Sequence, residues 1–134
     1  MKFILKSLSA ITLSLSAFTA FAMPTYLTTH NNTNEESNAF VVGAGGKQTP
    51  SPYPTAAHAT RQVYWTAVRM ACFGHTTDNK CSAVIKMATN TASPIELGTL
   101  SMDLVTGDIT PKVLNAKGYT VTINGPGEST ITKN

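Results

Sequence analysis

The chain has 134 residues, 42% hydrophobic, 7% aromatic and 13% charged, with a formal charge of +3. That length suits one domain. The charged fraction is about half the usual quarter, which excludes a charge-driven disordered chain and a coiled coil. Nine glycines and seven prolines exclude collagen-like and low-complexity classes.

Residues 1–22 read as a secretory signal peptide. Lys2 and Lys6 form a basic start, Ser7 to Phe21 is an uncharged apolar run, and Ala20-Phe21-Ala22 places small residues at a cleavage site. The run is too short and too rich in Ser and Thr to span about 20 residues of hydrocarbon, so no stable membrane anchor is expected after cleavage. Removing Lys2 and Lys6 leaves eight bases against seven acids. The remaining bases are scattered, and nucleic acid is not an expected partner.

Residues 23–38 form a polar segment, expected to be extended or loosely ordered. Asn31-Asn32-Thr33 matches a glycosylation sequon. Residues 39–134 are expected to form a single β domain. Ala39 to Val42 is a short strand that ends at Gly43-Ala44-Gly45-Gly46. This cluster lacks the Lys-Ser/Thr ending of a phosphate loop and reads as a turn or bulge. Pro50, Pro52 and Pro54 flank Tyr53 and mark a surface loop or an edge segment, since proline cannot donate to a central ladder.

Cys72 and Cys81 are the only cysteines. In an exported chain they predict one disulfide, which closes a short turn-rich loop. Setting Cys72 opposite Cys81 pairs Met70 with Ala83, Val68 with Ile85, Thr66 with Met87 and Tyr64 with Thr89. One registry then sorts both strands into an apolar and a mixed face. This predicts a disulfide-pinned hairpin, with Trp65 and Arg69 on its mixed face. The competing reading is a helix over 56–71, which the β-branched and aromatic Val63-Tyr64-Trp65-Thr66 opposes.

Further on, Leu100, Met102 and Leu104 alternate with polar residues, while Ile95 and Leu97 have the opposite parity. Gly98 lies at the change and predicts a bulge. Thr106-Gly107-Asp108 and Asn115 to Gly118 are turn signals. Pro111 interrupts a strand over 109–114. Tyr119, Val121 and Ile123 alternate up to the turn Asn124-Gly125-Pro126-Gly127, which pairs Val121 with Ile131. The total is six to seven short strands, predicting an all-β fold: a small antiparallel sandwich, immunoglobulin-like, or a barrel.

Val63-Tyr64-Trp65-Thr66-Ala67-Val68-Arg69, the Cys72–Cys81 loop, Thr106-Gly107-Asp108-Ile109-Thr110-Pro111 and Asn124-Gly125-Pro126-Gly127 together resemble a group of short exported all-β proteins of intracellular Gram-negative bacteria. The resemblance covers most of 61–134. It implies release to the periplasm or, by type II secretion, to the exterior. It transfers no activity to any residue.

No catalytic signature is present. Gly-x-Ser-x-Gly is absent, both thiols are expected to be oxidised, and the acids fall at turns or solvent faces. The sequence assigns no catalytic residue, no metal ligand and no cofactor. The expected function is a binding or interaction module with a protein or glycan partner. Its candidate residues are Tyr53, Trp65, Arg69 and His75, because aromatics and Arg are frequent anchors. Trp65 has an alternative role as a covered core residue. A small secreted hydrolase and a periplasmic structural or inhibitor protein are the alternative functions.

Overall fold

The computed structural model describes residues 23–134. The leader expected over 1–22 lies outside them. Among the described residues eleven strands build two facing sheets, with one α-helix. The strands in chain order are β1 (Tyr26–Asn32), β2 (Ser37–Val42), β3 (Gln48–Pro50), β4 (Ala59–Tyr64), β5 (Thr76–Thr77), β6 (Lys80–Met87), β7 (Ile95–Asp103), β8 (Ile109–Thr110), β9 (Val113–Ala116), β10 (Tyr119–Gly125) and β11 (Glu128–Lys133). The helix α1 (Trp65–Cys72) lies between β4 and β5.

The first sheet has the order β4-β1-β11-β10-β9, and the second β3-β2-β6-β7-β8 with β5 also paired to β6. All pairings are antiparallel except β1 with β11, which is parallel. This is the predicted all-β sandwich. The predicted pairing of Val121 with Ile131 is present. Gly98 marks a bulge in β7: Ile85 pairs with Gly98 but Lys86 with Glu96. Leu97 is the extra residue, which lets Leu97 and Leu100 both reach the interior. The proline-rich segment supplies β3, the edge strand, as its missing donors require.

The polar residues 26–32 become a strand because their two faces are satisfied differently. Thr28 and His30 lie on the outer face. On the inner face Asn31 is 0% exposed. Its Nδ2 donates to the Glu35, Thr55 and Ala56 carbonyls. Its Oδ1 accepts from the Thr33 backbone N–H and hydroxyl. The sequon asparagine is therefore a buried clasp between β1 and the proline-rich segment, and it has no room for a glycan.

The predicted hairpin over 64–72 and 81–89 does not form. β6 has two edges. One is taken by β2 along Ala83 to Met87 and by β5 at Lys80 and Cys81. The other is taken by β7. No edge remains for 64–72, and Tyr64 pairs with Tyr26 instead. The chain turns helical at Trp65, whose N–H donates to the Thr25 carbonyl and so satisfies a free helix-start donor. Trp65, Val68 and Cys72 form the buried stripe, the i, i+3, i+7 spacing of one helix face. The helix ends at Phe73, whose backbone is extended, and Gly74 at φ 81° completes the turn closed by the His75 N–H on the Cys72 carbonyl.

The Cys72–Cys81 disulfide is formed as expected, with the Cα atoms 6.0 Å apart. It ties the end of α1 to the start of β6 rather than strand to strand.

One turn carries a pH-sensitive contact. The Asp103 carboxylate accepts the Val105 and Thr106 backbone N–H groups. Those bonds, Thr106 first and Val105 second, hold its pKa below the usual carboxylate value. A carboxylate with a depressed folded pKa adds stability above its unfolded pKa, and that contribution fades as pH falls through the folded value. Asp103→Asn is therefore expected to flatten the acid limb of thermal stability measured between pH 5 and pH 2.

Candidate functional site: a cleft between the sheets

The core is divided. One buried cluster contains Met87, Leu97, Leu100, Ile109, Tyr119, Val121 and Ile131. The other contains Val41, Trp65, Val68, Cys72, Cys81 and Leu104. Leu27 and Met102 pack against both. Between the clusters lies a cleft of about 140 Å³, walled by members of each. Inward-facing Leu27, Val63, Ala71, Ala83, Ile85 and Met102 line it and stay only half-buried. In a close-packed interior such side chains would be covered.

The mouth is built from the segment after β3 and from β4. Ser51, Tyr53 and Thr55 line one side and Arg61 the other. Arg61 pairs across with Thr29 of β1, and both line the cleft. Its Nη1 donates to the Pro54 carbonyl at 2.8 Å. Its guanidinium carbon lies 5.5 Å from the Tyr53 ring centroid, a cation–π distance. The Tyr53 N–H donates to Ser51 Oγ. Among the described residues Arg61 is the one charged member of the lining.

The four residues singled out in the sequence fall in different places. Tyr53 stands at the mouth. Trp65 is 4% exposed and donates Nε1–H to the Leu104 carbonyl at 3.0 Å. It is a core residue on a helix, which corrects its expected place on a strand face. Arg69 is exposed on the outer side of α1, beside Met70 at 78% and Phe73 at 84% exposure. With Met23 and Val105 these line a shallow groove at the disulfide end. His75 is half-buried behind that end. Its Nδ1 is buried without a hydrogen-bond partner and lies where a side chain at Gly43 would intrude.

Two features escaped the sequence reading. Arg61 had a signal, because a cation alternates with Ala59 and Val63 on one strand parity. The second is a trio on the outer face of the first sheet. The Thr60 hydroxyl lies 3.0 Å from His30 Nδ1, and His30 Nε2 lies 2.7 Å from Glu128 Oε2. β4, β1 and β11 are adjacent strands, which is why residues so far apart in sequence meet. Hydroxyl, imidazole and carboxylate are the parts of a nucleophilic relay, but none of the three lines the cleft. Among the described residues no three His, Cys, Asp or Glu side chains are grouped to hold a metal.

A small disulfide-closed β-sandwich with an apolar inter-sheet cleft is the class of protein these features define. A family model described as the type II secretion system substrate NttC matches residues 1–134, so the chain belongs to that family. It is similar to the crystal structure of the Legionella pneumophila type II secretion system substrate NttC, with 63% identity and a TM-score of 0.78. The match covers 83% of this chain and 99% of that one. No curated protein matches the chain. Membership in a family of secretion substrates implies export, the expectation drawn from the leader-like residues 1–22.

Proposed function

We propose that this chain is an exported binding module, released outside the cell by the type II route, whose site is the cleft between the sheets and whose ligand is a small apolar molecule. The observation that carries the reading is the divided core. Around a cleft of about 140 Å³, six inward-facing apolar side chains stay half-buried, and covering apolar surface left to water is favourable. That uncovered surface suits a site that a ligand fills. An apolar space near this size is large enough for a molecule such as benzene.

Benzene is the first probe. Saturating benzene is expected to raise the thermal midpoint, since a ligand that binds only the folded state stabilises it. Ala83→Leu, which fills the cleft from β6, is expected to abolish that rise. No rise with the native protein discards the reading.

The disulfide end supports a second reading, docking of a protein whose surface offers apolar side chains and an acid to Met70, Phe73 and Arg69. The exposure of Met70 and Phe73 favours it, because the neighbouring disulfide holds their segment in place at low entropic cost. Under this reading, Met70→Ser with Phe73→Ser abolishes crosslinking to a partner and leaves the thermal midpoint unmoved. Crosslinking that survives the double change discards it.

A further inference from the structure

We infer that the cleft selects a small carboxylic acid, with the apolar body between the sheets and the carboxylate on Arg61. The inference rests on the cleft being a binding site and goes on to name the ligand class.

Three observations carry it. First, the walls are apolar over most of their area, so whatever enters must present hydrocarbon. The volume sets the size: a comparable cavity takes benzene, so the body is a single ring or a chain of about six carbons.

Second, among the described residues the only charge in the lining is a cation, and its exposure places it at the mouth. A ligand with hydrocarbon inside and an anion outside therefore matches both ends of the cleft. A cationic amphiphile would meet repulsion there.

Third, Arg61 is short of partners. Of its five N–H donors, Nη1 is used on the Pro54 carbonyl. Among the described residues the salt bridges are His30–Glu128 and Lys112–Asp108, so no carboxylate neutralises Arg61. The Pro54 carbonyl and the Tyr53 ring hold the guanidinium at the rim. A held guanidinium presents a planar fork that fits a carboxylate with two parallel hydrogen bonds. A phosphate monoester carries more charge and is usually met by several cations, which the mouth does not supply.

The arrangement also sets the direction of entry. The tail passes Tyr53 first, and the head stays at the rim in partial contact with water. The head-group contribution is therefore screened by salt, whereas burial of the tail is not.

The test compares hexanoate, 1-hexanol and hexylamine by titration calorimetry at pH 7 on the disulfide-intact mature chain. Hexanoate is expected to bind about tenfold more tightly than hexanol, the worth of one charge-assisted hydrogen-bond pair at a half-exposed site. Hexylamine is expected to bind least. Arg61→Gln is expected to bring hexanoate down to the level of hexanol while hexanol binding stays the same, which also shows that the variant is folded. Raising the salt concentration is expected to narrow the gap between acid and alcohol. Hexanol binding as well as hexanoate to the native protein overturns the carboxylate assignment and leaves the cleft reading intact. Failure of all three to bind overturns both.

Discussion

Trp65→Ala is expected to lower the unfolding free energy by about 4 kcal/mol, the usual cost of truncating a buried aromatic. Trp65 starts α1, fills the cluster with Val41, Val68 and Leu104, and gives its indole N–H to the Leu104 carbonyl. Alanine removes the ring and leaves that carbonyl without its donor, so two costs fall together. In a domain of this size the thermal midpoint should drop on the order of 15 °C. Trp65→Phe keeps most of the volume and loses only the hydrogen bond, so it should cost much less. If alanine leaves the melting curve in place, Trp65 is not a core residue and α1 is not packed as described.

The second large effect is expected from the sulfurs. Replacing Cys72 and Cys81 together by Ala should cost about 2.5 kcal/mol from lost loop closure, given a sequence separation of nine. That shift is on the order of 10 °C. The loss should not be uniform. Cys72 ends the helix and Cys81 lies in the first turn-adjacent part of β6, next to Lys80, so amide exchange should rise first in α1 and β5. Protection in β10 and β11, which belong to the other cluster, should hold longest. A double variant with unchanged melting and unchanged exchange in α1 would show that the crosslink adds nothing to this end of the fold.

What could be read from the residues alone divides along a physical line. Features set by near neighbours were legible. The turn at 124–127 fixes the Val121–Ile131 register by loop length. Gly98 lies where the apolar parity changes, so the bulge follows from two short stretches. The prolines at 50, 52 and 54 keep their segment at an edge whatever lies beside it.

Features set by competition for space were not legible. The segment 64–72 carries two periods at once. Val68, Met70 and Cys72 alternate as a strand, and Trp65, Val68 and Cys72 recur as a helix. Local β propensity favours the first. What decides is that β2 and β7 already occupy β6, a fact about residues far away in sequence. Met70 shows the result: apolar, placed inward by the strand reading, and 78% exposed in the fold.

The candidate site follows the same division. Tyr53 is legible because an aromatic among prolines stands out locally. Arg61 matters because the 51–55 segment lies across from it, and that proximity depends on two sheets closing on each other. The division of the core was invisible for the same reason, since a gap belongs to no single stretch of chain.

The parallel contact between β1 and β11 has a consequence for how the molecule comes into being. The opening strand lies between β4 and the closing strand, so one of its edges stays bare until the final residues arrive. A chain handed over from its amino end cannot finish the first sheet early.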